Sequence, residues 1–130
     1  MSFKKILASL VLGAAVFVSF PELNMNVAEA MYASHPVEGM SNVDKVFEQK
    51  DEQWAWVYVD KSSVRIRPRG DEAEVRIKHF VNTGKHVIQY DWATFWIAWH
   101  GGFAANNLTS DWTLNTNTAL ALSQYMADRY

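Results

Sequence analysis

Apolar residues follow three rhythms along this chain. From Ile6 to Phe20 they run on with no charged residue between them. From Trp54 to Trp99 they alternate with polar residues in short stretches. From about Asn117 they recur every three or four positions, at Ala119, Leu122, Met126 and Tyr130. Alternation is the mark of strands with two different faces, and the wider spacing is that of a helix laid on them. The strand pattern is clearest in "WAWVYVD", residues 54–60. Trp54, Trp56 and Tyr58 fall on one side, and Ala55, Val57 and Val59 on the other. With both faces apolar, this strand either lies centrally or shows one aromatic face to solvent.

Asp60-Lys61-Ser62-Ser63 breaks that run, and "VRIR" resumes the alternation. Pro68-Arg69-Gly70-Asp71 then has the composition of a turn. In "EAEVRIKHFV", Ala73, Val75 and Ile77 point one way and Glu72, Glu74, Arg76 and Lys78 the other. An even-length loop about Arg69-Gly70 sets Arg67 opposite Glu72 and Arg65 opposite Glu74. It also sets Ile66 opposite Ala73 and Val64 opposite Val75. Opposite charges then meet on one face and apolar residues on the other, as cross-strand pairing favours. Asn82-Thr83-Gly84-Lys85 reads as a second turn, followed by strands in "HVIQYDW" and "FWIAWH". Val43 to Gln49 fits either a short helix opened by a Ser41–Asp44 capping box or an edge strand, and leans towards the strand; residues 104–112 read as loop. A C-terminal helix begins near Asn117, capped by that residue or by Thr116. The fold class expected is α+β: an antiparallel meander of four to five strands closed by one C-terminal helix.

Composition adds the compartment. Lys4 and Lys5 precede the apolar run, and Ala28-Glu29-Ala30 supplies the small-x-small pattern read by signal peptidase. The run is shorter than the about 20 residues of a membrane span. Residues 1–30 therefore read as a secretory signal peptide cleaved after Ala30, followed by a flexible linker over 31–42 and one domain over 43–130. The destination is outside the cytoplasm, secreted, periplasmic or held at the cell envelope, with no membrane span in the mature chain. The chain has no cysteine, which excludes disulfides, thiolate metal sites and a cysteine nucleophile. Stability must come from packing, and the six Trp supply much of the area. A formal net charge of -2 gives no electrostatic reason to expect nucleic acid as a partner.

The stretch "WVYVDKSSVRIRPRGDEAEVRIK" resembles small secreted bacterial domains of the surface-adhesin protein E type, through Tyr58, Asp60, Ser62, Ser63, Val64 and Val75. The later "QYDW" at residues 89–92 is similar to another strand of that family. The resemblance covers roughly residues 47–99 and implies a small sheet domain outside the cytoplasm, with adhesion as the associated activity. "FWIAWHGGF" departs from the family pattern, and no binding residue carries over.

Candidate chemistry is sparse. Arg69-Gly70-Asp71 is the tripeptide by which many extracellular ligands bind integrins, and a hairpin tip would leave its side chains in solvent. These three are the candidate ligand-binding residues. Trp92, Trp96 and Trp99, together with Trp54, Trp56 and Trp112, are the alternative, an aromatic platform for sugars, against the plainer reading that they fill the core. His100-Gly101-Gly102 is similar to the oxyanion loop of esterases, but no Gly-x-Ser-x-Gly elbow accompanies it. His79 and His86 would lie diagonally near each other if Val81 paired with His86, still without a third metal ligand. Asn107-Leu108-Thr109 matches a glycosylation sequon. No metal or cofactor site and no catalytic constellation is expected. The function expected is a non-enzymatic adhesin-like protein binding a macromolecule such as a host matrix protein. The alternative is a carbohydrate or cell-wall binding module with exposed Trp.

Overall fold

The computed structural model describes residues 15–18, 32–100 and 102–130, with 15–18 and Phe103 as backbone only. The expected signal segment and the expected cleavage site after Ala30 otherwise lie outside the described residues. In chain order the elements are β1 (Ala15–Val18), β2 (Tyr32–Pro36), β3 (Val43–Glu48), a single 3-10 turn at Gln49–Asp51, β4 (Ala55–Ile66), β5 (Glu72–Asn82), β6 (Val87–Gln89), β7 (Ala93–Ala98), β8 (Phe103–Asn107) and α1 (Thr116–Arg129). All strand pairs are antiparallel, in the order β1-β8-β7-β5-β4-β3-β2, with β6 on the same edge of β5 as β7. From Tyr32 onward, seven strands and one helix make the α+β fold. That is more strands than the four to five expected. The additions are β2, within the supposed linker, and β8, within the supposed loop.

One face of the sheet forms the core. Val46, Val57, Val59, Ala73, Val75, Ile77, Phe95 and Ile97 are all at most 1% exposed there. Strand parity puts them on one side, and α1 covers them with Ala119, Ala121, Leu122, Tyr125 and Met126. Asn115 caps the helix by accepting from the Thr118 N–H at 2.8 Å. The helix touches β2, β3, β4 and β8, strands from both halves of the order. Its 14 residues extend about 21 Å, roughly the width of five strands. No helix among the described residues is long and apolar enough to cross a membrane.

A buried carboxylate ties α1 to β3. Asp44, 4% exposed, accepts from the Tyr125 hydroxyl at 2.8 Å and lies 3.3 Å from Lys61 Nζ. Burial, then this bond, pushes the Tyr125 hydroxyl's pKa strongly up. Tyr32 adds a second tie by donating to Asp128.

The hairpin register is the one charge pairing indicates: Arg65 faces Glu74 and Ile66 faces Ala73. The Arg67 N–H donates to the Glu72 carbonyl at 2.9 Å. Val64 does not face Val75, because the register shifts between Asp60 and Arg65. The motif Asp60-Lys61-Ser62-Ser63 is thus a bulge inside one long strand. Asp60 Oδ1 accepts from the Ser62 N–H at 3.0 Å, and the Ser63 hydroxyl donates to the Asp60 carbonyl at 2.7 Å. Ser63 Oγ also accepts from the Arg76 N–H at 2.8 Å, replacing the carbonyl that the bulge removes from the ladder. A second irregularity separates β6 from β7. Phe80 faces Gln89, whereas Ile77 faces Ala93, so one extra residue sits in the jog at 90–92.

Candidate functional site

Alternation along β4 leaves the odd-numbered Ala55, Val57 and Val59 under the helix and turns Trp56 and Tyr58 to the opposite face. No element described packs over that face at β3, β4 and β5. Lys45 stands opposite Tyr58 from β3, and Lys78 stands opposite it from β5. Trp56 pairs with Phe80, their rings stacked 5.4 Å apart at 13°. Phe80 also meets Tyr58, with centroids 4.5 Å apart. Lys45 Nζ lies 4.7 Å from the Trp56 ring centre, and Lys78 Nζ lies 5.5 Å from that of Phe80. Trp54, just before β4, is 43% exposed, and its ring lies beside Gly84 of the β5–β6 turn. The result is a surface of rings interleaved with ammonium groups. Each cation gains from the ring quadrupole while its head stays in water.

The position of Trp56 restricts what it can bind. Its neighbours β3 and β5 flank β4 from opposite sides. Lys45 therefore takes one face of the indole and Phe80 the other, so the ring presents its edge. Beside that edge lies an open cleft of about 390 Å³, lined by Lys45, Gln49, Lys50, Glu52, Gln53 and Trp56. Two amides and two ammonium groups give it donors for a polar or anionic group.

The Arg69-Gly70-Asp71 tripeptide lies at the hairpin tip. The Gly70 N–H donates to the Arg67 carbonyl at 2.8 Å, and Gly70 takes φ +77°, a conformation glycine enters without strain. Arg69 and Gly70 are exposed. Asp71 departs from the expected free side chain: it is half-buried, and Oδ1 is shielded without a hydrogen-bond partner. Its carbonyl accepts from the Trp99 N–H at 3.1 Å, which holds the tip against the end of β7.

Trp92, Trp96 and Trp99 do not share one open surface. Trp96 is 6% exposed and donates its Nε1–H to Glu72 at 3.1 Å. Trp92 lies under the Arg76 guanidinium, 5.0 Å away. Trp99, of opposite parity, packs against the core.

Comparison of the chain with family models, curated proteins and solved structures finds no match. Its own geometry therefore carries the functional argument.

The histidines are dispersed. Asn82 faces Val87, so the turn spans residues 83–86 and the strand slips by two from the pairing that would juxtapose His79 and His86. Tyr90, not His86, donates its N–H to the His79 carbonyl, at 2.9 Å. His86 is exposed and His79 is 1% exposed. Among the described residues no three His, Asp or Glu converge as a metal set. His100 is exposed in the turn after β7. Asn107 of the sequon is 3% exposed, its side chain clipping the loop after β8.

The sequence pointed to the hairpin tip and to a Trp set that included Trp54 and Trp56, but not to Tyr58, Lys45 and Lys78 as their partners. The available signal was the doubly apolar alternation of "WAWVY" together with Lys45 and Lys78. Recognising those lysines as neighbours required the pairing of β3, β4 and β5.

Proposed function

We propose that this chain is a non-enzymatic, exported binding protein that holds a partner macromolecule against the sheet face built from Trp54, Trp56, Tyr58, Lys45 and Lys78. The observation that carries this reading is the ring-and-cation row left uncovered opposite the helix. Trp54 is exposed and Trp56 and Tyr58 are half-buried, and Trp and Tyr are residue types enriched among the anchors of protein interfaces. The leader-like N-terminus and the resemblance to surface-adhesin protein E support a place outside the cytoplasm and a matrix-type protein partner. The paired test is solid-phase binding to a panel of matrix proteins, by wild type, a Trp54→Ala/Tyr58→Ala double variant and Arg69→Ala. Loss in the double variant with Arg69→Ala unchanged supports the sheet face. Loss only in Arg69→Ala moves the site to the hairpin tip.

The cleft beside Trp56 favours a second reading, a module for a cell-wall glycan. The amides of Gln49 and Gln53 are suited to sugar hydroxyls. Stacking on Trp56 would first require displacing Lys45. Tryptophan fluorescence titrated with glycan fragments tests this; a spectrum unchanged by every fragment removes it.

A further inference from the structure

The histidine that the site does not use has the least ordinary surroundings in the fold. His79 lies on the helix-covered face of β5, 1% exposed, with neither ring nitrogen hydrogen-bonded. Its ring lies 5.6 Å from that of Tyr90 at 19° and 5.8 Å from that of Trp112 at 25°. Tyr90 and Trp112 are themselves 5.4 Å apart, and Trp112 continues the cluster to Phe95 at 5.1 Å. Tyr90 comes from the jog between β6 and β7, and Trp112 from the loop joining β8 to α1. Among the described residues no carboxylate or cation acts on the ring; burial is the only influence, and it lowers the pKa to about 4. Lys78 and Phe80, next to His79 on β5, point to the opposite face. Asp91 and Asp111, next to Tyr90 and Trp112, are exposed.

The three elements meeting at His79 are not equally fixed. β5 is central. Tyr90 is anchored through its N–H to the His79 carbonyl. The β8–α1 loop is tied to Thr94 at its start, through the Leu108 N–H and the Thr109 hydroxyl, and Leu114 anchors its end in the core. Between them, the Asn107 side chain holds the stretch that carries Trp112, its Nδ2–H donating to the Trp112 carbonyl at 2.9 Å and its Oδ1 accepting from the Ser110 N–H at 2.8 Å. The Trp112 indole Nε1–H is buried with no partner, so it gains a hydrogen bond by moving into water. A charged imidazolium at this place needs water or an acceptor, and the loop is the least costly element to displace.

We propose that His79, Tyr90 and Trp112 form an acid-released latch, in which protonation of the His79 ring expels Trp112 and frees the β8–α1 loop while the sheet persists. The sign follows from linkage. The folded ring binds its proton more weakly than the unfolded chain, whose value is about 6.5, so the latch is fully closed above that pH. Closure weakens as the pH falls from about 6.5 to about 4, and below that the weakening is complete. Over that window the opening constant rises by up to about 300-fold.

The test compares full-length wild type with His79→Phe, which keeps a ring in the cluster and removes the titration. Trp112 emission, isolated by subtracting the spectrum of Trp112→Phe in each background, is followed from about pH 7.5 to about pH 3.5, a range spanning both values. Other carboxylates titrate in the lower part of this range, so the readout is the difference between the two backgrounds. Expected is an exposure step in wild type that His79→Phe lacks. An identical step in both overturns the latch. If His79→Phe does not fold, the wild-type His79 ring proton is titrated by NMR. Titration near the ordinary histidine value overturns the proposal. Titration near pH 4 together with movement of the Trp112 indole resonance supports it, and without that movement overturns it.

Discussion

Both faces of this sheet carry aromatic rings, and they are stabilised differently. Under α1, Phe95, Val57 and Val75 are at most 1% exposed and meet other apolar groups. On the opposite side, Trp56 and Tyr58 are only half-buried, shielded by one another, by Phe80 and by the stems and ammonium groups of Lys45 and Lys78. The covered face is closed by a separate element. Among the described residues, the open one is closed by lateral contacts within the sheet. Its packing is therefore thinner, and its rings remain available to a partner. Aromatic content alone does not separate core from site; the third dimension of packing does.

Truncation on the covered face should produce the largest effect. Phe95→Ala removes a fully buried ring beside Trp112, with an expected loss of about 3–5 kcal/mol in urea unfolding. Tyr58→Ala, on the open face, should lose less than half of that. Equal losses would mean that the two faces are packed alike. Next in size is Asp44→Ala. It strands the Tyr125 hydroxyl and the Lys61 ammonium and unties α1 from β3, with an expected loss of about 3 kcal/mol. Partial rescue by Asp44→Asn, which can still accept from Tyr125, would distinguish hydrogen bonding from charge. Ser63→Ala should cost about 1–2 kcal/mol, because the Arg76 N–H then loses its acceptor at the bulge. Native-state amide exchange should locate the effect at Arg76, and unchanged protection there would refute the assigned role of Ser63.

The parts legible in sequence were those that local chemistry specifies. Alternation located β4 and β5, opposite charges fixed Arg65 against Glu74, and helical spacing found α1 to within a residue or two. β8 was not legible. Ala104, Ala105, Asn106 and Asn107 have little intrinsic strand preference, and pairing with β7 imposes the conformation. The Asp60–Ser63 bulge read as a break for the same reason it works as a bulge: short polar side chains substitute for ladder partners. For the sites, parity held information that was not used. Trp96 and Trp99 are three apart, which on a strand means opposite faces, so the supposed trio could not form one platform. The neighbours that make Trp56 part of a site, Lys45 and Phe80, are 11 and 24 residues away in sequence, and only sheet order joins them.

Lys45→Gln is the smallest perturbation and separates the two readings of the open face most sharply. Its ammonium lies 4.7 Å from the Trp56 ring and 5.2 Å from that of Phe47, at a partly exposed site. Removing the charge should cost about 0.5–1 kcal/mol, a shift of a few tenths of a molar in the urea midpoint. Its effect on binding should be larger, and its sign depends on the ligand. A protein partner that uses the cation loses a contact, and affinity falls by about fivefold to tenfold, on the order of 1 kcal/mol. A sugar that stacks on Trp56 gains, because the indole face held by the ammonium becomes free while Phe80 still occupies the other. Isothermal titration of wild type and Lys45→Gln against the same ligand therefore reads the mode of engagement from the direction of change. Affinity unaltered in either direction would place the contact away from Lys45 and Trp56 and leave the neighbouring cleft out of the binding surface.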